Sequence, residues 1–152
     1  MNAICRRDLC IVFSASRGLA ATTQAGPLSV PEKSRTLSDS EVFSTDRIPA
    51  TTSVNGAKRW NILEGVLATG DAIAMHQSLQ PAGMAPNPPH TIQHSELILV
   101  QEGTLLFEHD GGSEKVGPGG VIFVALGTRH AARNVGDGTA KYLVIAIGGD
   151  TK

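Results

Sequence analysis

Short apolar runs separated by glycine-rich turns fill the chain from Val42 to its end. The runs are rich in β-branched and other apolar residues, and none sustains the period of an amphipathic helix. Six or more strands at nearly even spacing are typical of an all-β sandwich or barrel. The clearest runs are RWNILEGVL (59–67), AIAMHQSL (72–79), ELILVQ (96–101), TLLFEH (104–109), VIFVAL (121–126) and KYLVIAI (141–147).

The run at 96–100 is apolar at every position after Glu96. This pattern predicts a strand that is buried on both faces, inside a double-sheet structure. A charged carboxylate at the start of such a strand is costly unless it is paired or coordinated. Glu96 is therefore the first indication of a functional site.

Two histidines precede Glu96 in the stretch PPHTIQHSELILVQEG (88–103). His90, Ile92, His94 and Glu96 share one parity, so on a single strand they would point to the same face. Imidazole and carboxylate groups together are typical ligands of divalent transition metals. The stretch is therefore a candidate metal site with an isoleucine in its middle.

Composition limits the other function classes. The 152 residues suffice for one domain with a hydrophobic core, and the net charge of −1 argues against a nucleic-acid or anionic-membrane partner. Both cysteines, Cys5 and Cys10, lie near the start of the chain. A disulfide framework and a cysteine-based zinc site are therefore excluded from the core.

The first 25 residues have the order of an export signal: a basic pair at Arg6 and Arg7, an apolar stretch, then small residues. The paired arginines resemble the twin-arginine type of bacterial leader, which predicts a periplasmic or secreted protein. The stretch is too short to span a membrane stably. The alternative is a disordered tail on a cytoplasmic protein. Residues 26–40 are rich in proline, serine and charge and predict a linker or arm, which leaves 41–150 as the barrel domain.

Two motifs at a characteristic spacing give the chain a resemblance to the cupins, small bacterial single-domain members included. In the first motif, His90 and Glu96 take the first-histidine and glutamate places, Gly103 follows at the family's spacing, and Ile92 stands where the second histidine is usual. The second motif reads GGVIFVALGTRHAARN (119–134), with Ala125 in place of the usual proline. The resemblance covers residues 60–148 and implies a double-stranded β-helix, the jelly-roll barrel of that family.

The resemblance also implies one divalent transition metal (Fe, Mn, Ni, Cu or Zn) held by His90, Glu96 and His130. His94 is a candidate further ligand that has the right parity but lies about 6.6 Å beyond the lost position. The alternatives for each residue are structural. His90 would be a surface loop residue, Glu96 would pair with Arg129 or Arg133, and His130 would be a hydrogen-bonded core residue.

The predicted pocket around this site is apolar, with a floor of Ile92, Ile98, Phe107 and Phe123. His76 shares a parity with Ala72 and Ala74 and is a candidate acid or base near neutral pH. The alternative is a core or outward-facing histidine.

Two functions remain open. One is a metal-dependent enzyme of dioxygenase, lyase or isomerase type that acts on a small organic substrate. The other is a non-catalytic binding or sensing module that has lost tight metal binding. The resemblance implies a homodimer in either case, formed by exchange of N-terminal strands or by back-to-back packing of sheets.

Overall fold

The computed structural model describes residues 35–150, which form eleven strands and one turn of 3-10 helix at Thr45–Arg47. No helix in these residues is long and apolar enough to cross a membrane. The all-β class predicted from the sequence is confirmed. In chain order the strands are β1 (Thr36–Leu37), β2 (Thr51–Thr52), β3 (Lys58–Leu67), β4 (Ala72–Gln80), β5 (His90–Thr91), β6 (Gln93–Glu102), β7 (Leu105–His109), β8 (Gly112–Val116), β9 (Val121–Val124), β10 (Arg129–Asn134) and β11 (Ala140–Asp150).

The strands form two sheets. The larger sheet has the order β1-β3-β4-β11-β6-β9, with β2 also paired to β3, and the smaller sheet has the order β5-β10-β7-β8. Consecutive strands such as β6 and β7, or β9 and β10, lie in different sheets. The chain thus passes repeatedly from one sheet to the other, as a jelly roll requires.

The hydrophobic core lies between the two sheets. Leu105 and Phe107 of the smaller sheet pack with inward-facing side chains from β6, β9 and β11 of the larger sheet. Burial of these apolar side chains is the main stabilising contribution to the sandwich. The full core cluster is Ile92, Ile98, Val100, Leu105, Phe107, Ile122, Val124, Ala140, Tyr142 and Val144.

All six predicted strands form, with ends that differ by a few residues from the apolar runs. The prediction that residues 96–100 are buried on both faces is wrong. Ile98 and Val100 face the core, but Leu99 faces outward and is 37% exposed. The continuous apolar run therefore combines one core face with an apolar outer face. Strand β10 was not predicted, because it has no β-branched residue and its core-facing side chains are those of His130 and Ala132.

The N-terminal predictions are only partly covered by the structure. The expected export signal, residues 1–25, lies outside the described residues and stays a prediction. Within the predicted linker, Thr36 and Leu37 form β1 and pair in parallel with Val66 and Leu67 of β3. The end of that segment is thus part of the larger sheet.

The chain changes sheets at Ile92. His90 pairs with His130 in the smaller sheet, whereas Glu96 pairs with Ala146 and Val124 in the larger one. Ile92 lies at the corner between β5 and β6, is buried in the core, and its carbonyl accepts a hydrogen bond from the Gly127 amide. The predicted single strand face is thus wrong, but the corner brings His90 and Glu96 to opposite walls of the same interior.

A buried glutamine connects the two sheets. The Gln80 side-chain amide on β4 donates to the Tyr142 hydroxyl at 2.8 Å and to the Ala132 carbonyl at 3.3 Å. Its oxygen accepts from the Asn134 amide at 2.9 Å. The Asn134 side chain donates to the carbonyls of Gln80 and Gly138, in agreement with the structural role that the second motif suggests. All polar atoms of Gln80 are thus satisfied in the interior.

Candidate functional site

The candidate site is built on the inner face of the larger sheet where small residues leave space. Glu96 on β6 lies in a cross-strand row with Ala146 on β11 and Ala74 on β4. In the next row along the strands, Ile98, Val144 and His76 lie side by side. The two alanines cannot fill the interior beside the Glu96 carboxylate, so an open cavity forms there.

The Glu96 carboxylate lies between two imidazoles. Its Oε1 is 2.9 Å from His94 Nε2, and its Oε2 is 3.7 Å from His130 Nε2. All three side chains are largely buried. The alternative that Glu96 pairs with Arg129 or Arg133 is wrong, because its ion-pair partners are these histidines and Arg133 pairs with Glu108 at 3.3 Å.

His130 directs its Nε2 at Glu96 and its Nδ1 at a backbone carbonyl. Its Nδ1 is 3.4 Å from the Thr128 carbonyl, which accepts only, so Nδ1 carries the proton. Burial lowers the pKa of His130, although the bond to Thr128 and the charge of Glu96 act against this. In the neutral ring, the Nε2 lone pair then faces a carboxylate oxygen. Two acceptors that face each other favour a cation between them.

His90 lies on the opposite wall. Its ring centroid is 4.7 Å from that of His130, with which it pairs in the smaller sheet. His90 is exposed as a residue, yet it lines the cavity together with Glu96 and His130. The four predicted side chains of His90, His94, Glu96 and His130 thus lie in one region of the interior, and their role as metal ligands stays a prediction.

The donor set of imidazoles and a carboxylate is of a type that transition metals bind. Two donors at about 2.1 Å from one ion lie about 3.0 Å apart at a right angle and about 3.4 Å apart at a tetrahedral angle. Glu96 Oε1 and His94 Nε2, at 2.9 Å, are in direct hydrogen-bond contact, and Glu96 Oε2 lies 3.7 Å from His130 Nε2, farther than both values. Among residues 35–150, however, no three such side chains converge on one point that a metal could occupy. A third ligand therefore requires a side chain to move.

The cluster opens into two adjoining cavities. The larger has a volume of about 330 Å³ and the smaller about 230 Å³. Arg59, His76, His90 and Glu96 line both of them. A volume of this order suits a small organic molecule.

Comparison with known proteins identifies the fold. Residues 75–146 match the family described as "Cupin domain". A predicted oxalate decarboxylase from Thermotoga maritima has a similar structure, with a TM-score of 0.61, 16% identity, and coverage of 71% of this chain and 99% of the other. The chain carries a cupin domain and has the cupin fold.

Two further cupin-fold structures show the same likeness. An RmlC-like cupin from Shewanella frigidimarina has a TM-score of 0.59 and 20% identity, over 74% of this chain and 95% of that one. The polyketide cyclase RemF from Streptomyces resistomycificus has a TM-score of 0.57 and 18% identity, over 75% and 87%. No curated protein sequence matches this chain. At these identities the structures establish the fold and not the reaction.

Two of the four residues predicted to form the pocket floor line the cavities. Ile98 lines the larger cavity and Ile92 the smaller one. Phe107 packs beneath the site, with its ring centroid 5.6 Å from that of His130. Phe123 was wrongly placed in the pocket. It is 65% exposed, because residues 121–124 alternate and Ile122 and Val124 are the pair that faces the core.

His76 lines both cavities, as its predicted substrate-facing position requires. Its predicted role as an acid or base near neutral pH stays a prediction, and its low pKa does not favour a protonated ring there. Burial, with a smaller contribution from the charge of Arg59, lowers the pKa of His76 to about 4. The imidazole is therefore neutral at physiological pH.

The depressed pKa of His76 predicts a loss of stability in acid. The unfolded histidine takes up a proton near pH 6.5, whereas the folded one does so only near pH 4. The contribution of His76 to the free energy of unfolding is fully present above about pH 6.5. It falls as the pH drops toward 4, by at most about 1.4 kcal/mol per pH unit. Urea unfolding at several pH values gives the free energy of unfolding as a function of pH. Between pH 4 and 6.5 this free energy should change less steeply for His76→Gln than for the native chain. Equal slopes would contradict this assignment.

Sequence reasoning missed most of the polar residues that line the cavity, and three of them form one row. Arg59, Ser78 and Tyr142 lie in one cross-strand row, next to the row of His76. Burial raises the pKa of Tyr142, so its hydroxyl stays protonated and can donate. The register of the β3–β4 hairpin could have indicated these residues. If Asn61 pairs with His76, then Arg59 lies opposite Ser78, one row further along the same face.

Proposed function

We propose that this protein is a small-molecule-binding cupin that holds one divalent transition metal in the larger cavity. The observation that carries the proposal is the buried Glu96 carboxylate, which faces the Nε2 of His130 at 3.7 Å and lies 2.9 Å from His94. Buried carboxylates and imidazoles that lie together are typical of metal sites with mixed nitrogen and oxygen ligands.

Glu96 and His130 are the first two ligands in this proposal, and His90 or His94 supplies the third. The Thr128 carbonyl orients His130 by accepting its Nδ1 proton, as second-sphere partners of metal-bound histidines do. A bound ion of this class supplies Lewis-acid or oxygen-binding chemistry. The cavity beside it would then be the substrate site of a dioxygenase, lyase or isomerase. The protein described as a polyketide cyclase shows that the fold accommodates enzymes.

Elemental analysis of the protein purified from metal-supplemented medium tests this function. We expect close to one equivalent of Fe, Mn, Ni, Cu or Zn per chain. Less than about a tenth of an equivalent of each of these metals would overturn the metal proposal, because a functional site should be nearly fully occupied in supplemented medium.

Replacement of Ile92 by histidine gives a second test. Ile92 is buried at the corner between the sheets and lines the smaller cavity beside His94 and Glu96. We expect Ile92→His to raise Mn²⁺ or Zn²⁺ affinity at least about tenfold, since an additional imidazole ligand completes the site. Without metal, the same variant should lose about 1–3 kcal/mol of stability, because a polar ring replaces a core side chain. Titration calorimetry and urea unfolding measure the two effects.

Ile92→Asn is the matched control for that test. It introduces a polar group of similar position without an imidazole and should lower stability without any gain in metal affinity. A histidine variant that binds metal no better than the asparagine variant would show that the corner does not face the ion.

A second function is favoured by one observation. No three ligand side chains of residues 35–150 converge on one point, and Ile92 occupies a ligand position of the motif. The alternative is therefore a non-catalytic module in which the cavity binds or senses a small molecule without a metal. Saturation of the cavity by a ligand in chelator-treated protein, with no metal in the elemental analysis, would support it.

The proposed assembly is a homodimer formed through the outer face of the larger sheet. Val121 and Phe123 on β9 are 60% and 65% exposed, and Leu99 beside Val121 is 37% exposed. Ile147 on β11 adds a further exposed apolar side chain to the same face. A contiguous apolar sheet face of this kind is typical of a protein–protein interface.

A charge placed at Phe123 should weaken that dimer. We expect Phe123→Asp to raise the dissociation constant of the dimer at least about tenfold, because the carboxylate loses its hydration in the interface. Analytical ultracentrifugation over a range of concentrations measures this. Val54→Asp is the control, since Val54 is fully exposed in the turn before β3, away from the sheet face. Dissociation by the Val54 variant instead would indicate a dimer formed by the N-terminal arm.

A further inference from the structure

A cation that has no ion pair among residues 35–150 lines both cavities. Arg59 on β3 lines the larger and the smaller cavity, and Lys58 lines the larger one beside it. None of the ion pairs among residues 35–150 includes either of them. Glu96 is the one carboxylate among the described residues that line these cavities, and it already lies between His94 and His130.

The guanidinium of Arg59 is oriented by a neighbour. Its Nε donates to Asn61 Oδ1 at 2.8 Å, which leaves the two terminal nitrogens for other acceptors. In the sheet register Arg59 lies opposite Ser78, and Ser78 lies opposite Tyr142. The positive charge lowers the pKa of His76 and acts on that of Tyr142 in the same direction, although burial dominates both. The charge therefore acts on the interior of the cavity and not only on solvent.

The rest of the cavity is matched to a short organic molecule. Ile98 and Val144 form an apolar wall next to His76, and Ser78 and Tyr142 supply hydroxyl groups beside it. The volume of about 330 Å³ is at the lower end for small-molecule sites. An unpaired arginine at the edge of such a cavity is suited to a planar anion, because its fork of N–H groups matches a carboxylate.

We propose that the cavity binds a small organic acid, with its carboxylate held by Arg59 and its apolar part against Ile98 and Val144. This inference rests on the proposed small-molecule function of the cavity, but it does not require that a metal is bound. The carboxylate contact with Arg59 leaves the far end of the molecule toward His76 and Glu96. Arg59 is thus a specificity-determining residue.

Matched acids and amides test the proposal on the full chain. Butanoate, hexanoate and benzoate are titrated by calorimetry or by chemical-shift changes, and butanamide, hexanamide and benzamide serve as neutral molecules of the same shape. Each series is measured in chelator-treated protein and again after addition of Mn²⁺. We expect at least one acid to bind at least about tenfold more tightly than its amide without metal, because only the acid forms the charge-assisted bonds. Arg59→Gln should remove that difference and leave amide binding unchanged.

Arg129→Gln is the matched control, since Arg129 is exposed on β10 and lines neither cavity. The proposal is overturned if no acid binds, if acids and amides bind equally, or if Arg59→Gln keeps the preference for acids. Acid binding that depends on Arg59 in a protein that takes up no Mn²⁺ supports the proposal and contradicts the metal function alone. Mn²⁺ uptake by a protein whose acid binding does not change in Arg59→Gln contradicts the proposal and supports the metal function.

Discussion

Glu96→Gln should lower the affinity of the protein for Mn²⁺ or Zn²⁺ by at least about 100-fold. The carboxylate is the one group that lies close to two of the candidate imidazoles, at 2.9 Å from His94 and 3.7 Å from His130. Loss of an outer-sphere partner already costs about 10–100-fold in metal affinity, so loss of a charged ligand should cost more. Titration of chelator-treated protein, followed by calorimetry, gives the affinity directly.

Glu108→Gln is the control for that substitution. Glu108 lies on β7, pairs with Arg133 at 3.3 Å and does not line either cavity. The Glu108→Gln variant should bind metal with the same affinity as the native chain. Equal metal affinities for the native protein and the Glu96 variant would remove Glu96 from the ligand set.

Gln80→Leu should lower the free energy of unfolding by about 2–4 kcal/mol, because several groups lose their partner in the interior at once. The Tyr142 hydroxyl, the Ala132 carbonyl and the Asn134 amide all bond to the Gln80 side chain. Leucine has a similar size, so the loss reports the unsatisfied polar groups and not a cavity. Urea unfolding at neutral pH measures the change.

Two further variants serve as a partial loss of these hydrogen bonds and as a control. Tyr142→Phe removes one of these bonds and should cost about 1 kcal/mol. Gln77→Leu changes the same residue type on the same strand, where Gln77 is buried but takes no part in the connection between the sheets, and it should be close to neutral. A Gln80 variant no less stable than the Gln77 variant would show that the connection contributes nothing.

Much of the fold follows from the sequence because each strand is a short apolar run that ends at a turn signal. Apolar runs and glycine turns located six strands, and the resemblance carried by the two motifs predicted the jelly-roll fold. Gly103 illustrates why the motif spacing is informative. It has a φ of +76°, and a Cβ there would lie 2.7 Å from the Thr139 carbonyl oxygen and from the Ala140 Cα. Only glycine therefore fits this turn between β6 and β7.

The remaining features depend on contacts between distant parts of the chain. A shared parity placed His90 with Glu96 on one strand, but the chain turns a corner at Ile92 and the two residues converge from different sheets. Phe123 and Ile122 are both apolar, so the run alone could not tell which faces the core. The low pKa of His76 arises from burial and from Arg59 on the neighbouring strand. Such features need the register of the folded sheet.

The central claim is that the buried Glu96 carboxylate and its histidines hold one divalent metal. A crystal of the native protein grown with Mn²⁺ or Zn²⁺ and measured at the absorption edge of the metal tests it most directly. We expect one anomalous peak within about 2.0–2.3 Å of Glu96 and of His130, with a third ligand from His90 or His94. A peak elsewhere, or density for Glu96 and His130 that is unchanged with no anomalous peak, would contradict the account.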